Sequence, residues 1–401
     1  MSLSEFLMIK TELCSLAVFR QLLDDKVVSA LADYLESLKN ADTDCSVSAY
    51  GEFVSRLYSV NGGNITRYIE HICNNCENAY VKLIGCGKTP PPQVVQSTEN
   101  ELKVLQAVAE LTPEQLCEPL DYSGFLPQFK SEHIDLVQNY KYRAQNIEKF
   151  GYGKYASNRM FYVDDSGDIV PVKNADGITL KTLVDYEAER RQVIDNTEAL
   201  LCGKPAANIL LTGDAGTGKS STVKAVCNRF YADGLRLIEV RKDQLSAIPQ
   251  ILDELAENPL KFIIFIDDLS FLSDDDNFNG LKAVLEGSIS ARSRNVVVYA
   301  TSNRRHIIRE KFSDREGDEI HCNDTMQEMI SLSDRFGIHI TFQKPDKKTY
   351  LDIVKNLAEQ SGVAMASEEL EKEAERFALE RGGRSARLAK QLIDNVIARQ
   401  S

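Results

Sequence analysis

The sequence predicts an α/β protein: a three-layer P-loop core built on a parallel sheet, with an α-helical region before it and a helical lid after it. Three observations predict this. Apolar runs at 209–211, 235–240, 262–266, 296–299 and 338–342 alternate with helical patterns, and they lack the polar alternation of a half-exposed strand. The first run leads into Gly213, Asp214, Ala215, Gly216, Thr217, Gly218, Lys219 and Ser220, a complete G-x-x-x-x-G-K-[ST] loop between strand and helix. Helical periodicity dominates before residue 175 and after Pro345.

Taken in order, Leu3, Phe6, Leu7, Leu13, Cys14, Ala17 and Val18 begin an amphipathic pattern that residues 28–38 continue. Asn61, Gly62, Gly63 and Asn64 break it, and Thr66 can cap the next helix. Pro90, Pro91 and Pro92 read as a stiff extended linker. Helix returns over 98–117, with Thr112 and Pro113 opening a short further one. A tyrosine- and phenylalanine-rich stretch then gives way to a strand at 160–163. Asp165, Ser166 and Gly167 form its turn, and 169–172 the return. Three regions result: a mostly helical one at 1–175 with a further break over 87–97, a nucleotide-binding core at 176–343, and a lid at 344–401.

Composition limits the function classes. The 401 residues are 43% hydrophobic and 27% charged, a globular balance that excludes wholesale disorder. Asp plus Glu number 60 against 47 Lys plus Arg, a net charge of −13 that argues against a general nucleic-acid coat, since each bound phosphate needs a nearby cation. One local exception is the set Arg292, Arg294, Arg304, Arg305, Arg309 and Lys311, interrupted by Glu310. It suits a subunit interface, an acidic partner or nucleic acid, but no aromatic platform is interleaved with it. No apolar run approaches the ~20 residues of a membrane span, and no signal peptide is read at the N-terminus. Nine cysteines, an odd number, fit reduced thiols and a cytoplasmic setting. His71, Cys73, Cys76 and Cys86 have zinc-like spacing, yet Ile69, Ile72, Cys73, Cys76, Tyr80 and Leu83 recur at helical spacing, so an apolar helix face is the favoured reading.

The chemistry lies in the second half. Glycines let the backbone N–H groups of residues 213–221 curl around phosphates, and the following helix adds its positive end. Lys219 supplies a charge to the β and γ phosphates, Ser220 a hydroxyl for Mg²⁺, and Ser221 continues the cradle. The run at 262–266 ends in Asp267 and Asp268 at the carboxyl end of a buried strand, where ligands bind in such sheets. Asp267 suits the Mg²⁺ and Asp268 the attacking water. The adjacent Asp274, Asp275 and Asp276 read as an acidic surface loop.

These residues resemble the AAA+ ATPase superfamily over roughly 178–401. Thr301, Ser302 and Asn303, after the fourth run, resemble sensor 1, which implies that Asn303 positions the lytic water. Leu332, Ser333, Asp334, Arg335, Phe336 and Gly337 resemble the arginine-finger box, which implies that Arg335 reaches a neighbour's γ-phosphate. Gly382, Gly383 and Arg384 resemble sensor 2, which implies a phosphate contact from Arg384, with Arg387 one turn later as its substitute. Residues 183–200 resemble the helix that helps enclose the adenine, opened by Val184, Asp185 and Tyr186. Residues 205–224, 265–271 and 302–306 resemble a bacterial family named domain of unknown function 815. Where many superfamily members have Asp-Glu, this sequence has Asp267-Asp268, a pattern shared with initiators and helicase loaders, which favours a slow, switch-like enzyme.

The resemblance implies an ATP- and Mg²⁺-dependent ATPase acting as a homo-oligomer, with residues 1–175 engaging a protein partner. Two alternatives stand beside it: a DNA-acting ATPase of the initiator or loader kind, and a non-hydrolysing nucleotide-gated scaffold.

Overall fold

The computed structural model describes residues 3–40, 42–269, 271–272, 285, 294–303, 308–309, 335–363 and 365–400. The chain divides into two compact units, Met1–Ser157 and Asn158–Ser401.

The first unit is helical. Asp25 caps the helix Lys26–Ser37 by accepting from the N–H groups of Val27 and Val28, and Asp42 caps Thr43–Asn61 through Cys45. Gly62, in the left-handed conformation at φ 57°, ends that helix, as the Asn-Gly-Gly-Asn signal requires. Asn64, rather than Thr66, caps the next helix, Ile65–Asn75; the Thr66 hydroxyl instead donates to Ala109 O at 2.7 Å. The proline run differs from expectation. Pro91 is the N-cap and Pro92 the first residue of the helix Pro92–Ala109, because a proline at that position lacks only an N–H with no helical partner anyway. The face at 69–83 is likewise split: Cys76 ends one helix and Asn78 caps Ala79–Gly85. Cys73 and Cys76 are buried in this core, burial pushes both thiols up, and the Cys76 sulfur accepts from Gln21 Nε2. Among the described residues no group of three His, Cys, Asp or Glu is placed to hold a metal.

One buried carboxylate organises the start of this unit. Glu101 accepts from the backbone N–H groups of Ala17, Val18 and Phe19 at 2.9–3.1 Å, which closes the turn after Leu3–Cys14 against Pro92–Ala109.

The second unit carries a seven-stranded sheet. Its strands are β1 (Met160–Val163), β2 (Ile169–Pro171), β3 (Ile209–Gly213), β4 (Leu235–Glu239), β5 (Lys261–Ile266), β6 (Val296–Ser302) and β7 (Ile338–Phe342). They lie in the order β2-β1-β4-β5-β6-β3-β7, parallel except for the β1–β2 hairpin. The five apolar runs thus form five adjacent strands of the sheet, β4-β5-β6-β3-β7, as the sequence predicts. The strand pair at 160–172, which the sequence grouped with the helical region, instead extends this sheet: Phe161 pairs with Ile238 of β4. A further short parallel pair joins Phe271–Leu272 to Ile308–Arg309.

Helices α1 (Glu187–Leu201), α2 (Lys219–Phe230) and α3 (Ile248–Leu255) accompany the sheet. The α1 helix is fixed to it by polar contacts. Asn196 brackets the backbone N–H and C=O of Ala207, and both Asn196 and Thr197 meet the buried Tyr299 hydroxyl of β6. After Pro345 come α4 (Lys347–Gln360), α5 (Ser367–Glu380) and α6 (Ala386–Gln400), packed around Tyr350, Ile353, Ala374, Leu392 and Val396 as a lid with its own core. Among the described residues no helix is long and apolar enough to cross a membrane.

Glu101→Ala leaves three backbone N–H groups without an acceptor. It is expected to cost about 2–4 kcal/mol in denaturant unfolding. A loss below about 0.5 kcal/mol would show that the Ala17–Phe19 turn has other acceptors.

Candidate nucleotide-binding site

Strand register assembles the site. β3 lies between β6 and β7, and its chain continues three positions across the sheet to β4, so a crevice opens at its carboxyl end. Ile266 of β5 pairs with Ala300 of β6, which sets Asp267 beside Thr301. Thr212 of β3 pairs with Ser302, which sets Gly213 beside Asn303.

The loop after β3 depends on its glycines. Gly213 sits at φ 132°, and a Cβ there would lie 2.0 Å from Phe342 O in β7. Gly218, at φ 94°, caps α2, so the loop passes directly into a helix N-terminus. Lys219, the first residue of α2, is 5% exposed. Its ammonium donates to Gly213 O and Asp214 O at 2.8 Å and to Asn303 Oδ1 at 3.0 Å. Burial pulls its pKa below the usual lysine value, opposed by Asp214, Asp267 and Asp268.

A continuous set of hydrogen bonds joins the predicted residues. Ser220 Oγ donates to Asp267 Oδ1 at 2.7 Å, and Thr301 Oγ1 donates to the same oxygen at 2.6 Å. Thr301 Oγ1 accepts from the Asp268 N–H at 2.9 Å. Asn303 Nδ2 donates to Asp268 Oδ1 at 2.8 Å, the Asn303 carbonyl accepts from the Lys219 ammonium, and the chain from Lys219 to Ser220 closes the ring. Asp268 adopts φ 53°, a left-handed conformation that Asp and Asn tolerate better than other non-glycine residues. Thr301 holds it there. The sequence places Thr301 in the sensor strand without giving it a task; the Ile266–Ala300 register was the missing information.

Val184 and Tyr186 line the cleft, and they precede α1 rather than lie within the helix that the resemblance implies. Asp185 and Tyr186 both have positive φ, 66° and 61°. The Tyr186 ring packs on Phe342 at 5.1 Å, and its hydroxyl donates to Gln343 O at 2.5 Å. The cleft has a volume of about 990 Å³, at the upper end of the range for small-molecule sites. Residues 215–222 line it, together with Asp267, Asp268, Thr301 and Asn303. The lid closes its far side with Ile353, Leu357, Arg387 and Lys390.

The two lid arginines are separated. Gly382, at φ 77°, turns the chain after α5, and Arg384 folds back onto that helix, donating to both oxygens of Glu375 at 3.3 and 3.0 Å. The Glu375 hydrogen bond raises the Arg384 pKa, and Lys347 shares the same carboxylate. Arg384 is therefore absent from the described cleft wall, in contrast to its implied phosphate contact. Arg387 is there instead: its N–H donates to Gly216 O at 3.2 Å, and a Cβ on Gly216 would lie 3.1 Å from that of Arg387.

Arg335 is half-buried in the turn before β7 and lies outside the described wall of this cleft. Ser333 and Asp334 of its motif, and Arg292, Arg304, Arg305 and Lys311 of the basic set, fall outside the described residues, as does the acidic run at 274–276. Arg294 is exposed.

The family model described as "Protein of unknown function (DUF815)" matches residues 154–400, more than half of the chain. The chain belongs to this family. Its matched region begins just before β1, so the hairpin counts with the core at the family level too. The DUF815 region has a mostly parallel α/β sheet, a phosphate-loop turn opening a helix, and a C-terminal helical lid. No curated protein matches the chain. Among solved structures, the Thermotoga maritima RuvB Holliday junction branch migration motor is similar at 18% identity and a TM-score of 0.37, with 54% of this chain covered. The match spans 63% of that protein's length. Caenorhabditis elegans PCH-2 is similar at 18% identity and a TM-score of 0.36, covering 55% of this chain and 71% of its own. Likeness of that degree carries no argument about activity or partners.

Gly213→Ala combines a forbidden φ with a backbone collision. It is expected to lower stability by about 2–4 kcal/mol. An unchanged melting temperature would show that the loop leaves β3 by another path.

Proposed function

We propose that this DUF815 chain is an ATP-binding, Mg²⁺-dependent ATPase of the AAA+ kind. The observation that carries this is the closed ring of Ser220, Asp267, Thr301, Asp268, Asn303 and Lys219 at the mouth of a phosphate-binding loop. An ordinary glycine-rich turn needs none of these partners.

The adenosine lies along Val184 and Tyr186, and the phosphates lie in the N–H cradle of residues 213–221. Lys219 exchanges its backbone acceptors for phosphate oxygens, a small movement for a long, flexible ammonium. Ser220 Oγ and Asp267 Oδ1 are hard oxygens 2.7 Å apart, a donor set that suits Mg²⁺, which would offset charge on the β and γ phosphates. Asp268 and Asn303 hold the attacking water, and an Asp268 carboxylate oxygen receives its proton as the bond from the γ-phosphorus to the bridging oxygen breaks and ADP leaves. Arg387, at the loop, is the lid group we assign to the phosphates in place of Arg384. Arg335 serves a neighbouring copy in a homo-oligomer. Lid movement on hydrolysis switches or remodels a protein partner held by the helical unit at 1–157. The cytoplasmic setting belongs to the same reading.

Turnover per protomer, measured with Mg²⁺ and without DNA, is expected to rise with protein concentration. Flat turnover from the lowest dose would leave Arg335 without its task. Absence of turnover with tight ATP binding would favour the scaffold, unless added DNA restores it and so favours the initiator-like alternative.

Asp268→Asn keeps a residue tolerant of positive φ but removes the proton acceptor. It is expected to bind ATP like the wild type and to lose turnover by about 10²- to 10⁴-fold. Thr301→Val removes the hydroxyl shared by both aspartates and is expected to lose about 100-fold by displacing them. Wild-type turnover in either variant would refute the roles given to this ring.

Arg335→Ala is expected to lose about 10³-fold or more in turnover. Mixing it with Lys219→Ala is expected to recover part of the activity, since the second variant still presents its own Arg335. A mixture as inactive as its components would argue against completion of the site between subunits.

A further inference from the structure

Arg190 lines the cleft yet takes no part in the polar ring. It is the fourth residue of α1, held one turn from Tyr186 by its backbone N–H, which donates to Tyr186 O at 2.9 Å. The residue is only 8% exposed. Among the described residues nothing accepts a hydrogen bond from its guanidinium and no carboxylate pairs with it. Burial pulls its pKa down, and Glu187, Asp185 and Glu189 oppose that only from a distance. A guanidinium has five donors and no acceptor. Enclosing one without partners costs stability that an apolar residue of similar size would not.

Its neighbours place it along the nucleotide. Arg190 and Tyr186 line the same cleft one helical turn apart, on the stretch that precedes and opens α1. The cleft lining also includes Ile178, Leu183 and Val184, apolar side chains of a kind that suits a planar ring.

We propose that Arg190 reads the base of the bound nucleotide, donating to an acceptor atom on the ring edge. The inference rests on the nucleotide reading of the same cleft. A donor-only fork recognises ring nitrogens and carbonyl oxygens and gives nothing to an exocyclic amine. The base thereby supplies a partner that none of the described residues provides.

The test is calorimetric titration of the full chain with ADP, 2′-deoxyADP and inorganic pyrophosphate. Arg190→Met is expected to weaken ADP and 2′-deoxyADP alike, by about 10- to 100-fold, and to leave pyrophosphate binding unchanged. Unchanged ADP affinity would overturn the proposal. So would an equal loss for pyrophosphate, which would place Arg190 at the phosphates, or a loss confined to ADP, which would place it at the ribose hydroxyl. If wild-type protein binds pyrophosphate but discriminates nothing in favour of ADP, base reading fails while the phosphate loop stands. If it binds neither, the nucleotide reading itself fails. Should Arg190→Met not fold, Arg190→Lys, which keeps the charge but not the fork, carries the same comparison.

Discussion

One oxygen of Asp267 accepts from Ser220 on the phosphate-loop helix and from Thr301 on the neighbouring strand. Through these two bonds, three segments far apart in sequence meet at one point. Asp267 is exposed, yet two hydroxyl donors from different segments fix its carboxylate in one place. The residues around it take their places from the same anchor. The Asp268 backbone turns left-handed there, Thr301 holds its N–H, and Asn303 spans from its carboxylate to Lys219.

The ring is also poised for exchange. Each of its members is satisfied by another member, so the site is stable without a ligand, yet every bond in it is between groups that phosphate, a hard cation or water can replace. Lys219 is the extreme case: buried, lowered in pKa and held by two main-chain carbonyls. The cleft therefore combines a rigid frame, set by strand register, with side chains that change partners at small cost. Arg190 differs from this pattern because its guanidinium has no partner among the described residues to exchange.

The lid shows how a turn can reassign a function. Gly382 redirects the chain so that Arg384 is consumed by Glu375, and α6 begins close enough to Gly216 for its Arg387 backbone to bond the loop. Two arginines three residues apart thus meet different surroundings, one within the lid and one at the phosphate loop. Glu101 in the first unit makes the same point for stability: a charged residue on an amphipathic helix is the acceptor for a remote turn, not a solvated face.

The sequence by itself determined five adjacent strands, the phosphate loop with its helix, and Asp267 and Asp268 as candidates; Asn303 was named through the sensor-1 resemblance. These signals are local: apolar runs, fixed motif spacing and glycine positions act over a few residues, so one chain suffices to read them. It misplaced what depends on partners distant in the chain. Residues 160–171 look like an isolated hairpin until β4 is available to pair with β1, and Pro92 looks like a linker residue until the helix it begins finds Glu101 a task. Thr301 and Arg190 carried no motif-level mark that separated them from their neighbours, and Arg387 was named only as a substitute for Arg384. Only the tertiary structure decided their places, because register between strands, the turn at Gly382 and burial under a cleft wall are set by pairings across the whole unit.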